Sequence, residues 1–93
     1  MTHTIKLNIH FCDAVLSGEK NFEIRRNDRG YQKGDYVKFI PVENIRELRH
    51  PVEQNVYRIT YVINGYGLEN GFVVFGIIPD EYYLQRTTTN PQK

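Results

Sequence analysis

Between Lys20 and Lys33, five basic residues (Lys20, Arg25, Arg26, Arg29 and Lys33) stand against Glu23 and Asp28, a local surplus of three positive charges. The whole 93-residue chain carries a net charge of only +1, so bulk electrostatics do not announce a polyanionic partner, and the case for one rests on this patch. Arginine is the side chain best shaped to grip phosphate through forked hydrogen bonds. Tyr31, Tyr36, Tyr57 and Tyr61 offer rings on which bases could stack. Glu23 is suited to accept from a base amino group, as glutamate does from cytosine N4. A structural reading competes with this one. Glu23 and Arg25, two apart on one strand face, could pair with each other, or with Lys6 or Arg58 across a sheet, as a clamp. The tyrosines could equally be packing and rim.

Other chemistry-bearing residues point elsewhere. Cys12 and His10 lie two apart, but nothing orients them as a nucleophile and base, and a small buried thiol is the better reading of Cys12. One cysteine excludes an internal disulfide and a cysteine-rich zinc site. His3, His10 and His50 have no ligand spacing, so neither metal nor cofactor is expected. The glycines of residues 64–71 lack the Gly-Lys-Ser/Thr of a phosphate loop and read as turn formers.

These side chains must be positioned by a small domain. Length allows one domain, and 40% hydrophobic with 25% charged residues is ordinary for a globular protein. No window approaches 18 consecutive apolar residues, and the N-terminus lacks a signal-peptide layout, so the expected location is cytoplasmic, with no membrane. Residues 4–9 alternate as a half-buried strand, and residues 10–17 read as a short helix closed by Gly18. Residues 20–26 alternate again, with Phe22 and Ile24 on one face and Glu23 and Arg25 on the other. Turns at 27–30 and 33–35 lead to a strand over Tyr36–Val42, closed or bulged at Pro41. Residues 43–53 read as a loop, Val56–Ile63 as a strand, 64–71 as a glycine-rich loop, and Phe72–Ile78 as a strand buried on both faces. The expected class is mainly β (α+β), about five strands and one helix forming a closed or nearly closed barrel over residues 1–80. Residues 81–93 read as a frayed extension.

One segment is more specific. Gly18-Glu19-Lys20-Asn21-Phe22-Glu23-Ile24-Arg25 resembles the G-x-K-x-x-E-x-R signature of ASCH domains, in the PUA-like superfamily, and falls just after the first helix as it does there. Lys33-Gly34-Asp35 resembles that family's Gly-Asp turn. Gly67-Leu68-Glu69-Asn70-Gly71-Phe72-Val73-Val74 and the opening His3-Thr4-Ile5-Lys6 resemble a small uncharacterised bacterial and phage branch. The resemblance implies a PUA-like β-barrel with an RNA-binding cleft beside the first helix. It also implies a second activity, because related amidohydrolases deacylate N4-acetylcytidine. They use a Lys and a Thr three apart in this signature, and a Glu from a later helical insert. Lys20 matches the Lys, Glu23 stands at the Thr position, and no helical insert is evident.

Three expectations follow. The first is an RNA- or nucleotide-binding module, with Lys6, Lys20, Glu23, Arg25, Arg26 and Tyr61 as binding residues. The second is an amidohydrolase acting on a modified nucleoside, with Lys20 and Glu23 catalytic. The third is a protein-interaction module, motivated by small size and a tail containing Tyr82 and Tyr83. Strict alternation puts Lys20 off the Glu23 face, so their convergence requires a bend near Asn21.

Overall fold

Alternation in the first strand, β1 (Thr2–Asn8), buries His3, Ile5 and Leu7 and exposes the residues between them. The computed structural model, which describes residues 1–81, places this strand parallel to β3 (Tyr36–Glu43), with Ile5 opposite Phe39 and Leu7 opposite Pro41. The helix α1 (Ile9–Ser17) follows at once. The Asn8 side chain accepts the His10 N–H at 2.8 Å, and Gly18 closes the helix at φ 85°, a conformation that costs glycine little. The remaining strands are β2 (Phe22–Arg26), the two-residue β4 (Arg46–Glu47), β5 (Tyr57–Ile63) and β6 (Phe72–Pro79). The expected mainly β fold, with one helix directly after the first strand, is what the chain adopts.

The main pairing path runs β1-β3-β5-β6-β2, and β4 pairs with the far end of β3. Only β1 with β3 is parallel. The sheet is not closed into a barrel by backbone pairing, because β1 and β2 are the two ends of the path. Closure was the reasonable expectation for short strands with edges to hide. Here the ends are managed by side chains instead, as described below.

Two further details differ from expectation. Residues 43–53 are not a plain loop: Asn44, at φ 56°, turns the chain into β4, and a 3₁₀ turn covers Pro51–Gln54. His50 caps that turn and Glu53 reaches back to the His50 N–H. Nor does β3 stop at Pro41. It pairs with β5 only through Tyr36 and Val37, so the donor that proline lacks falls where the β5 ladder has already ended. The extension of residues 81–93 lies, apart from Glu81, outside the described residues.

The core is assembled from both ends of the chain. Ile5 and Leu7, Cys12 and Val15 of α1, Val37 and Phe39, Val52, Tyr57 and Ile59, and Val73, Phe75 and Ile77 form one cluster. The strand β2 supplies no apolar side chain to it; its single buried residue is Glu23. At the other side of β6, Gly76 makes room for a neighbour. A Cβ there would lie 2.5 Å from Thr60 Oγ1, at the register shift between Ile59 and Tyr61.

Candidate functional site

The strand β2 buries the wrong face for its composition. Phe22 and Ile24 are 41% and 53% exposed, whereas Glu23, between them, is 2% exposed. Alternation correctly separates the two faces, but polarity does not say which one turns inward. A buried carboxylate is costly unless paired. Glu23 is paired on both oxygens: Lys20 Nζ donates to Oε2 at 2.6 Å, and Arg25 Nε donates to Oε1 at 2.9 Å. Arg25 Nη2 also lies 2.8 Å from Oε1.

Lys20 reaches the carboxylate because it lies outside the strand. After Gly18 the chain doubles back, the Lys20 N–H donates to Ala14 O at 2.9 Å, and the strand starts only at Phe22. That departure from alternation supplies the bend near Asn21 that convergence requires. Lys20 Nζ also donates to Phe22 O at 2.8 Å and sits 5.2 Å from the Phe11 ring centre and 4.9 Å from that of Phe22. Both distances fall within cation–π range.

The cluster lies at the gap between the two ends of the sheet. Arg25 Nη2 donates across that gap to Lys6 O on β1 at 2.6 Å. Lys20 occupies an edge carbonyl of β2, Arg25 occupies one of β1, and Glu23 anchors both cations. Exposed strand edges invite pairing with other chains, and charged side chains placed on them are a recognised remedy. Net stabilisation by a buried ion cluster is small once desolvation is counted, but removing one member is expensive. The cluster therefore fixes the geometry of the gap more than it adds stability, and the expectation of a structural clamp at Glu23 and Arg25 is met.

The clamp does not seal the gap. Beside it opens a cleft of about 500 Å³ lined by Lys6, Leu7, Asn8, Phe11, Lys20, Phe22, Glu23, Ile24 and Arg25. This volume is within the range of small-molecule sites, roughly 300–1,000 Å³. Lys20 has three N–H donors and gives two to Glu23 and Phe22 O, which leaves one. The two N–H groups on Arg25 Nη1 have no acceptor among the described residues. A second cleft, of about 410 Å³, lies on the other side of the Arg25–Lys6 bridge and is lined by both of those residues, with Arg26 and Arg29 among its walls.

The structure thus brings together Lys6, Lys20, Glu23 and Arg25, with Arg26 on the neighbouring cleft. It does not bring Tyr61, which is 62% exposed on β5 and lines neither cleft. Tyr57 is in the core, and Tyr31 packs between His3 and Phe75 at ring separations of 4.8 and 4.7 Å. The rings at the first cleft are Phe11, on α1, and Phe22, which alternation puts with Ile24 on the β2 face opposite Glu23. The available signal was local: both flank Lys20 within the reach of a long side chain. Glu23 accepts from a cation on each oxygen and so anchors Lys20 and Arg25 together. Burial pushes the Cys12 thiol up, and the carboxylates of Asp13, Glu23 and Glu53 push it the same way, so it is a buried thiol and not a ready nucleophile. His50 is held by Asp13, 2.7 Å from its Nε2, and by the Val52 N–H on its Nδ1.

Comparison with known proteins places the chain in a family. The model of a domain of unknown function, DUF3850, matches residues 2–77, which takes in β1, α1, the clamp and most of β6. The chain belongs to the DUF3850 family. The DUF3850 domain here is 46% identical over 33 residues to an uncharacterised 12.9 kDa protein of Escherichia phage P2. That stretch covers 36% of this chain and 30% of the phage protein. Among solved structures, protein PF0455 from Pyrococcus furiosus is similar at a TM-score of 0.49 and 17% identity, over 88% of this chain and 100% of that one. No helix among the described residues of the DUF3850 domain is long and apolar enough to cross a membrane.

Proposed function

We propose that this DUF3850 domain binds single-stranded RNA or a nucleotide-like ligand in the cleft beside α1. One observation carries the reading: Lys20 and Arg25, both anchored on a buried carboxylate, converge on an open cleft walled by two half-exposed phenylalanines, with hydrogen-bond donors to spare. Apolar walls with a few fixed polar groups suit a small organic ligand. Aromatic rings beside cations suit one that combines a flat base with phosphate. Kinship with ASCH domains belongs to the same proposal, because Lys20, Glu23 and Arg25 are the K, E and R of their signature, and their convergence gives that spacing a physical purpose.

Amidohydrolysis is the second reading, and the geometry favours it less. A general base must accept a proton from water or substrate. Both oxygens of Glu23 already accept from cations, and the position of the family's threonine is filled by Glu23 itself. For the third reading, the interaction module, its motivating residues Tyr82 and Tyr83 lie outside the described residues.

Titration of the protein with short single-stranded RNAs and nucleotides at low and moderate salt tests the proposal. With about three phosphate contacts, the slope of log affinity against log salt should be near −2. Absence of binding to every RNA and nucleotide at low salt defeats it. Incubation with N4-acetylcytidine, followed by chromatography, tests the hydrolase; release of cytidine above background would promote that reading over simple binding.

A further inference from the structure

The two clefts flanking the Arg25–Lys6 bridge differ in character. The first has the Phe11 and Phe22 walls. The second has the cations Arg26 and Arg29, shares Lys6 and Arg25 with the first, and has Asp28 as its one acid. Arg25 is committed to Glu23, but Lys6, Arg26 and Arg29 form no ion pair among the described residues. The three of them against Asp28 leave two uncompensated positive charges on one concave surface.

That surface is also held in shape. Arg26 lies with its guanidinium carbon 4.8 Å from the Phe72 ring centre. The turn carrying Arg29 is tied down at both ends, by the Asn27 N–H to Gly71 O at 2.8 Å and the Tyr31 N–H to Asn27 Oδ1 at 3.1 Å. Cations positioned before a ligand arrives lose less freedom on binding it.

We propose that the second cleft holds backbone phosphates of the ligand whose base occupies the first, so that a single-stranded RNA lies across the Arg25–Lys6 bridge with a base on the α1 side and phosphates on the Arg26–Arg29 side. This rests on the binding reading above and adds to it a direction and a preference for a strand over a lone nucleotide. Lys6 and Arg25 belong to both clefts, so they meet the ligand where base gives way to backbone. Arg26 and Arg29 meet only phosphate. They supply affinity and orientation without reading sequence.

The test is calorimetric titration of the intact protein and its Arg26→Gln/Arg29→Gln variant. The probes are each of the four ribonucleosides, its 5′-monophosphate and its trinucleotide. Both arginines are exposed, so the variant should fold, and an unchanged melting temperature checks that it does. For wild-type protein the trinucleotide should bind most tightly. In the variant, trinucleotide affinity should fall about tenfold and the salt slope should shrink by about 1.4, two phosphate contacts on a single strand. Nucleoside affinity should not change. A variant that binds trinucleotides like the wild type, with the same salt slope, overturns the second-cleft assignment and leaves the first intact. A monophosphate that binds as tightly as the trinucleotide overturns the strand in favour of a free nucleotide. No binding of any probe to the wild-type protein removes this inference and the binding proposal together.

Discussion

Two polar side chains are buried among the described residues of this domain, His3 and Glu23, and the clusters around them have opposite characters. His3 Nε2–H donates to Asp35 Oδ2 at 2.8 Å, the Gln32 N–H reaches the same oxygen at 3.1 Å, and the terminal ammonium lies 3.4 Å from Oδ1. His3 and Asp35 line neither cleft, and His3 packs against the Tyr31 ring. The donors around Asp35 converge on the carboxylate and stop there. Around Glu23 the cations exceed what the carboxylate needs, and the surplus borders open space. A buried ion pair alone says little about function. Unspent donors beside a cleft separate a candidate site from a structural tie.

That comparison breaks most sharply at Glu23. Glu23→Ala removes the anchor from two cations at once and should lower stability by about 3 kcal/mol, the lower end of the cost of breaking a buried pair. The lower end is appropriate because Lys20 and Arg25 keep 18% and 23% side-chain exposure and can turn to water through the cleft. Urea denaturation gives the stability. Binding of any ligand should fall with it, even under conditions where the variant is fully folded. Asp35→Ala should cost stability while leaving affinity unchanged. If Asp35→Ala lost the ligand and Glu23→Ala kept it, the assignment of roles would have to be reversed.

Which parts of this were legible in sequence follows from what each pattern measures. Alternation reports that a strand has two faces, and for β1 the apolar face is also the buried one. In β2 the two faces are legible but their orientation is not, since Glu23 is buried by hydrogen bonds from Lys20 and Arg25, and alternation alone does not say that such partners turn a carboxylate inward. The convergence of Lys20 with Glu23 requires a bend near Asn21, and the chain supplies it there, where the turn after Gly18 brings the Lys20 N–H to Ala14 O and delays the strand to Phe22. The gap between β1 and β2 was invisible. Its two edges are 19 residues apart at the Lys6–Arg25 contact, and no local signal says that two edges meet without pairing. Tyr61 was a reasonable stacking candidate by type and is on the wrong strand. Phe11 and Phe22 were hidden by being apolar in elements where apolar residues usually face inward.

A smaller change sharpens the comparison from the cation's side. Lys20→Met keeps a stem of similar length between the Phe11 and Phe22 rings and removes only the charge. Glu23 retains Arg25, so stability should fall by about 2 kcal/mol, within the range for a hydrogen bond to a charged group and below the cost of removing the shared carboxylate. Ligand affinity should fall about tenfold, or 1.4 kcal/mol. The ratio is the informative quantity. If stability falls as far as it does for Glu23→Ala while affinity is unchanged, the lysine is only a tie for the β2 edge.

The smallest effect concerns the other cluster and appears only in acid. Burial alone would raise the Asp35 carboxyl, but the hydrogen bonds from His3 and the Gln32 N–H, together with the terminal ammonium, outweigh it and hold the group below the usual carboxylate range. A carboxyl depressed in the folded state contributes stability that is full above its unfolded value of about 4 and is lost as pH falls through the folded value. Wild-type stability should therefore drop on acidification below about pH 4, and Asp35→Asn should flatten that limb while starting from a lower plateau at neutral pH. Glu53 is also held low, chiefly by the His50 N–H, but it is present in both proteins and cancels in their difference. Thermal melts from pH 7 to pH 2 measure the effect. Parallel acid limbs in the two proteins would mean that the His3–Asp35 tie does not distinguish the charged carboxylate from its neutral form, and ligand affinity at neutral pH should be the same in both.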